Sequence, residues 1–497
     1  MTTTLSQQPG LFNEGQQIIG CKEFEEYREL LSRMDHSLSA SGIEAEFAQV
    51  YLARMLAEKR KEEGPDALLS DKEIRRYSHI AIQALRCNIV GCVSGLALRP
   101  LTIRLAESPH LQKFCHLGDF QEVRIPGKSQ LGDFRNMFPV EDIQRAIDRL
   151  MSTAAKENSG LKLADPLDLA DVYIDSTCLM ANVHFPVDWL LLRDGCLTIL
   201  KAVIVIRSHG LKHRMPDPKE LQRDVNRLAI EMTNHRRKKD AKKLRKKTLR
   251  SLMTLTKVIE RHALRYCTLL ETHGQETSLS DGEVQQILKR LQSMIEQLPE
   301  ARRQARQRII SQTQVPNDEK ILSLYDDAVN VVKRGKLTAE VEFGNELFIA
   351  EQKDGLIVDW KLYRESATSD TGKLPEFLDR VFANGTTLDS VTGDRGFDSN
   401  KNRKLLSDNG IFNGLCARNP AQLGELMKDE EYSAKQRRRA QTEGRIAIIK
   451  NNFLGGRAAS RNFDYRERQV AWAILSHNLW VLARLPQIDE EEAAKAS

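Results

Sequence analysis

The sequence predicts an α/β protein: a mixed sheet flanked by helices, with an all-helical N-terminal domain and a helical insertion after the first strand. Three observations predict it. Strand-like alternation of β-branched and aromatic residues occurs at 170–179 and does not return until 337. The interval 197–312 reads as helix throughout. From 337 onward a hairpin pattern is followed by alternating helix and strand patterns.

Taken in order, residues 1–20 are polar and expected to be flexible. A helical pattern runs from Cys21 to about Glu63 and is interrupted at Gly64-Pro65. Residues 71–150 read as short helices. Ile80 to Leu98 is apolar and suits a buried helix or pair, and Pro100 lies in the first turn of the next. Ser129 is a plausible N-cap for Gln130–Met137, and Pro139-Val140 opens a helix to about Thr153. Such helices suit a DNA-binding domain and suit any small bundle nearly as well. The strand at 170–179 is expected to place Asp175 at its end. Within the helical interval, His235–Arg250 carries ten Lys/Arg against one acid, Asp240, and Arg302–Arg308 is a second basic run. Each suits either a solvated helix face or phosphate contact. Strands are expected at Leu337–Phe343, Glu346–Glu351 and Leu356–Tyr363, the last two joined by a Lys353-Asp354-Gly355 turn. A helix at Leu374–Phe382, a strand at Thr387–Thr392 ending in Gly393-Asp394, a helix at Lys401–Asn409, a strand at Gly410–Cys416, the Glu443 helix and an amphipathic helix at Val470–Leu485 follow. The tail from Asp489 is acidic and expected to be disordered. The expected segments are 1–70, 71–165, 166–200, 201–320, 321–485 and 486–497, with 71–165 the N-terminal domain and 201–320 the basic insertion.

Composition narrows the function. The 497 residues, 41% apolar, suffice for about two to four domains. The net charge is only +6, but the cations are concentrated in patches, the electrostatic footprint of nucleic-acid binding. Eight cysteines are scattered with no C-x-x-C pair, so neither a zinc knuckle nor a disulfide framework is expected. The N-terminal residues lack the pattern of a signal peptide, and no run of about 18 apolar residues exists, so a cytoplasmic protein without membrane contact is expected.

The chemistry-bearing residues are carboxylates. On the helix running from Arg437 to Lys450, positions four before and seven after Glu443 lie within about 40° of it. Arg439, Glu443 and Lys450 therefore share a face, while Arg437, Arg438 and Arg445 add to the charge. Alone, the window also suits a solvated helix with i,i+4 ion pairs. Asp175 and Asp394 at strand ends, with Glu443 on a helix, suit hard cations in a phosphoryl-transfer site. His184 is expected to have a structural or substrate-positioning role, and Trp189 and Phe397 are expected in the core.

Three blocks carry a resemblance: Tyr173-Ile174-Asp175-Ser176-Thr177, with Asn182–Asp188 and Arg193-Asp194-Gly195 after it; Gly393-Asp394-Arg395-Gly396-Phe397-Asp398; and a Y-x2-R-x3-E-x6-K signature filled by Arg439, Glu443 and Lys450, with Gln436 at the tyrosine position. Together they resemble the DDE transposases of bacterial insertion sequences. The likeness extends over about 75–485, including Lys128-Ser129-Gln130-Leu131 in the helical region. It implies an RNase H-like catalytic domain in which Asp175, Asp394 and Glu443 are catalytic and hold two Mg²⁺ ions, with Mn²⁺ able to substitute. It implies double-stranded DNA partners (terminal inverted repeats and target), contacted by Arg437, Arg438, Arg439, Arg445, Lys450, Lys128 and the run Arg236, Arg237, Lys238 and Lys239. It further implies a homodimer in the active complex and a bacterial, nucleoid-associated location. The expected reaction is cleavage at the element ends followed by 3′-OH strand transfer. The rivals are an RNase H-like nuclease without strand transfer and a catalytically silent DNA-binding derivative.

Overall fold

The computed structural model describes residues 20–118, 122–183, 186–235, 240–317, 319–336, 339–365, 369–456 and 462–488. The chain divides into two units: Met1–Met180, Glu346–Tyr363 and Ala367–Ser497 form one, and Ala181–Asn345 with Arg364–Ser366 the other. The expected flexible residues 1–19 and the acidic tail from Asp489 lie outside the described residues.

The first unit opens with helices α1 (Lys22–Ser41), α2 (Ile43–Glu63), α3 (Asp71–Ser94), α4 (Leu98–Glu107), α5 (Pro109–Phe114), α6 (Lys128–Asn136) and α7 (Val140–Ala154). A capping box of Ser70 and Glu73 starts α3. Helix α6 begins at Lys128 with Gly127 as its N-cap, so the expected Ser129 cap is replaced by a backbone turn without a side-chain bond. These helices do not separate from the sheet, because α16 (Phe463–Leu482) joins them to it. Trp472 of α16 stacks on Phe47 of α2, which meets Phe138 edge-on at 4.5 Å. From the other end of α16, the Asn478 amide exchanges hydrogen bonds with Ile357 on strand β4 (Ile357–Leu362). Helix α16 is buried on nearly every side, and an amphipathic face as expected from sequence does not apply to a helix between two layers.

The sheet of this unit is mixed and covered by helices, an RNase H-like arrangement. Strand β1 (Asp171–Met180) lies between β3 (Ala339–Gln352) and β5 (Ser390–Gly393). β5 pairs in parallel with β1 and with β6 (Phe412–Leu415), and β4 pairs antiparallel with the second half of β3. Side chains of a strand alternate between faces. The even residues Val172 and Ile174 of β1 enter a core with Leu374 and Phe377 of α12 (Asp370–Ala383), together with Phe348 and Phe397. The odd residues face α15 (Glu430–Ile448), as the contacts below show. Helices α13 (Asn400–Asp408) and α14 (Pro420–Leu426) flank β6 in sequence. Helix α14 is one the sequence reading did not find: Asn419 caps its first backbone N–H groups and Pro420 occupies the first turn.

In the second unit, α8 (Asp188–Ser208), α9 (Pro218–Asn234), α10 (Ala241–His273) and α11 (Asp281–Ala305) close around one core that includes Ile199, Val225, Leu252, Tyr266 and Leu298. Trp189 is in this core, as expected, with the Arg245 guanidinium 4.9 Å from its ring centroid. β2 (Asn330–Lys336), which sequence reading did not find, pairs with the first half of β3. The strands expected at 337–343 and 346–351 are one continuous strand, because Asn345 is fully buried and its amide donates sideways to the Ala328 carbonyl at 2.8 Å. The Gly344-Asn345 pair therefore supports an extended backbone where it would ordinarily signal a turn.

Candidate active site

The parallel pairing of β1 with β5 ends at Ile174 and Gly393. The next residues are Asp175 and Asp394. Asp175 is thus in the middle of β1 and not at its end, but it stands where its parallel neighbour stops. Ligand sites form at such carboxyl ends of parallel strands because the splayed chain termini leave a crevice. Asp394 turns back on itself, its Oδ1 accepting from the Gly396 N–H at 2.8 Å.

Helix α15 is laid along the odd face of β1 in register. The Lys435 ammonium donates to Asp171 at 2.7 Å and to Ser390 at 2.9 Å. Arg438 lies over the Tyr173 ring at 4.7 Å. The Arg439 and Glu443 charges both act on Asp175. Lys450 donates to Thr177 Oγ1 at 3.3 Å and to the Cys178 carbonyl at 2.7 Å. Fifteen helical steps from Lys435 to Lys450 cover about 22 Å, and six strand steps from Asp171 to Thr177 about 20 Å. The two rises match, so each odd position of β1 meets its own turn of the helix.

Burial pushes the Asp175 carboxyl up to about 6; the Ser176 N–H and Arg439 pull it down, and the Asp394 and Glu443 charges push it further up. A partly buried carboxylate repelled by two others is what a divalent cation relieves. The residues present suit a divalent cation in their chemistry, since the charges of Asp394 and Glu443 both bear on Asp175. Among the described residues no set of three or more such side chains is gathered about one point. The Glu443 side chain is 71% exposed and its Oε1 is 3.9 Å from the Arg439 guanidinium.

The remaining cations of α15 have other occupations. Arg438 donates to Glu351 Oε1 at 2.8 Å and to the Lys353 carbonyl at 2.8 and 2.9 Å. Arg445 lies 3.5 Å from Glu351 Oε2 and presses against Gly355, where φ is +92° and a Cβ would sit 1.9 Å from the guanidinium. Glu351 is fully buried, and Thr442 also donates to it. Sequence reading gave Arg438 and Arg445 to phosphates and missed Glu351; the structure makes them the counter-ions of a buried carboxylate. Helix α15 passes at Ile449–Phe453 into a π-helical turn, which carries Lys450 to its acceptors on β1. Gln436, at the signature's tyrosine position, donates to the Gly414 and Gly393 carbonyls, the latter directly before Asp394. Arg437 is exposed, bonded only to Ser433 one turn back among the described residues.

Elsewhere in the first unit, Lys128 is exposed at the start of α6, where a cation gains nothing from the helix dipole. In the second unit, Arg302 pairs with Glu260, Arg303 with Glu300 and Arg308 with Asp188. Those arginines of the second basic run are internally matched. Lys242, Lys243, Lys247 and Arg250 of α10 are exposed. Arg236, Arg237, Lys238, Lys239 and His184 lie outside the described residues.

No single helix is long and apolar enough to cross a membrane among the described residues. No curated protein and no solved structure matches the chain. Residues 349–479 match the family model described as the transposase DDE domain, a segment that includes Asp394 and Glu443 and begins after Asp175. From the second half of β3 into α16, this chain is similar to the transposase DDE domain.

Proposed function

We propose that the protein is a transposase that binds the terminal inverted repeats of a mobile element, hydrolyses the phosphodiesters at its ends, and directs the freed 3′-OH onto target DNA. The observation that carries this reading is the β1–β5 register, which ends directly before Asp175 and Asp394 on neighbouring strands, in a chain whose residues 349–479 match the transposase DDE domain and include Glu443. Asp175 and Asp394 would hold one Mg²⁺, and Asp175 and Glu443 a second, with Mn²⁺ able to replace either. Bound there, the cations supply positive charge to the scissile phosphate and to the attacking and leaving oxygens.

The chain's own residues do the rest. Gln436 fixes the backbone immediately before Asp394, and Lys450 fixes β1 two and three residues after Asp175. Arg439 brings a cation to the face of Asp175 and, alongside the carboxylates, can hold a DNA phosphate. No side-chain nucleophile is required, since water and then a DNA hydroxyl attack. The active complex is expected to be a homodimer.

The test is Glu443→Gln, which keeps the shape and removes the charge. It should abolish Mg²⁺-dependent strand cleavage and leave gel-shift affinity for the terminal repeats nearly unchanged. Cleavage at the wild-type rate would show that the second cation is held elsewhere. Donor–target joined products separate a transposase from a nuclease that only cuts.

A further inference from the structure

A fourth carboxylate belongs to this site, on the opposite face of the sheet from α15. Asp370 is the first residue of α12. Its Oδ1 accepts from Ser176 Oγ at 2.8 Å and from the Lys373 ammonium at 2.6 Å. Its Oδ2 lies against the Cα of Gly396: a methyl there would sit 2.4 Å from Asp370 Oδ2 and 2.9 Å from Asp394 Oδ1. Two carboxylates thus flank one backbone carbon in the turn that follows Asp394. Lys373 is 1% exposed and also pairs with Glu346 on β3. A buried ammonium held by two carboxylates has little freedom to move, because breaking either pair leaves a charge without its partner.

We infer that Asp370 is a positioning residue that sets the spacing of Asp175 and Asp394. One of its oxygens is tied to the residue after Asp175, and the other packs against the turn of Asp394. Lys373 fixes the carboxylate from behind. Ser176 completes the link, since its N–H donates to Asp175 Oδ1 at 2.7 Å while its hydroxyl donates to Asp370 on the α12 face of the sheet. Hydrogen-bond partners of metal-binding groups orient them, and losing one commonly costs about 10–100-fold in metal affinity. Gly396 is required here for closeness and not for conformation, because any side chain would enter the gap between Asp370 and Asp394.

The inference rests on the proposed metal role of Asp175 and Asp394, and the experiment keeps the two apart. Mn²⁺ binding to the purified full-length protein is measured without DNA, by titration calorimetry and by the Mn²⁺-induced rise in melting temperature. Asp394→Asn is the reference and should lose binding. Asp370→Ala should weaken Mn²⁺ by about 10–100-fold, with gel-shift affinity unchanged. Ser176→Ala should weaken it in the same direction, and the double variant by less than the product of the two, since both act through one bond. Asp370→Asn, which retains an acceptor for Ser176, should recover part of the loss. Gly396→Ala retains both Asp370 and Lys373 but presses a methyl between Asp370 and Asp394, and should also weaken Mn²⁺, which serves if Asp370→Ala fails to fold. Wild-type Mn²⁺ affinity in Asp370→Ala or Gly396→Ala, beside a lost site in Asp394→Asn, overturns the inference alone. Multiplicative effects of Asp370→Ala and Ser176→Ala overturn it in favour of direct ligation by Asp370. Retained binding in Asp394→Asn overturns the metal reading itself.

Discussion

Along α15, Lys435, Arg438, Arg445 and Lys450 end on acceptors inside their own unit: Asp171, Glu351 and the carbonyls and hydroxyls of β1 and the β3–β4 turn. Along the first turns of α10, Lys242, Lys243, Lys247 and Arg250 are exposed and form no ion pair among the described residues. The two helices carry similar runs of cations in sequence. They differ in what lies opposite. α15 packs on a sheet that presents one buried carboxylate and several strand-end carbonyls. The start of α10 turns Thr248 and Leu249 inward and lays Arg245 over the Trp189 ring. Cation density therefore identifies a basic helix without identifying its acceptor.

The largest effect that sharpens this contrast is on stability. Glu351→Ala should leave Arg438 and Arg445 as unpaired cations in the interior and destabilise the protein by about 3–5 kcal/mol, read as a lower denaturant midpoint. If α15 is instead a solvated basic helix, the loss stays below about 0.5 kcal/mol. Removing both sides together, with Glu351→Leu and Arg438→Leu, should cost less than the single change, because no charge is stranded.

A smaller effect of opposite sign is expected at Asp175. Its folded carboxyl is raised from 3.8 to about 6, so between those values the folded state holds a proton that the unfolded chain has released. Without metal, stability should fall as pH rises from about 4 to about 6 and stay lowered above. Asp175→Asn removes that penalty. At pH 7 and without divalent ions it should be more stable than wild type by up to about 3 kcal/mol, and the difference should vanish below about pH 4. Melting curves at the two pH values check this. A variant less stable than wild type at pH 7 would mean that Arg439 already balances the cluster, and the argument for a cation at this position would weaken. Saturating Mn²⁺ should reverse the order by stabilising only the wild type.

How much of this was legible in the sequence depends on whether the signal was local. The strand pattern, the Asp-Gly turn and the Asp394 turn came through because each is written in neighbouring residues. So did Phe397 and Trp189, whose bulk and context mark them as core. Glu351 did not, because a glutamate in an alternating strand reads as a solvent-facing residue; only its two arginines, 87 residues away for Arg438, reveal that it is buried. Asp370 did not, because an acid at a helix start is ordinarily explained by the helix dipole. A clue was present in Lys373 three residues on, but the bond from Ser176 to Asp370 spans 194 residues. The continuous β3 was missed because Asn345 satisfies its amide through Ala328, a contact no local rule supplies. Gln436 in place of tyrosine is informative in the other direction: an amide serves there because its acceptors are two backbone carbonyls.

The smallest effect on stability, and the one that tests the other half of the comparison, concerns α10. Replacing Lys242, Lys243, Lys247 and Arg250 by Gln removes four exposed cations from a helix whose inward residues, Thr248 and Leu249, are untouched. Glutamine is as good a helix former as lysine, so the melting midpoint should move by no more than about 0.5 kcal/mol. DNA binding should change much more. Each cation that neutralises a phosphate releases one condensed counterion, so affinity for any duplex should fall and the slope of log affinity against log salt should become shallower by as much as about 3–4. Phosphate contacts position a protein on DNA without reading its sequence, so terminal-repeat and random duplexes should lose affinity by the same factor. The same four-residue change on α15, at Lys435, Arg438, Arg445 and Lys450, should instead unfold the protein before it alters the salt slope. A loss of preference for the repeats with unchanged affinity for random duplex would show that α10 reads bases. An unchanged salt slope would show that its cations face water alone, and the division of roles between the two basic helices would then be wrong.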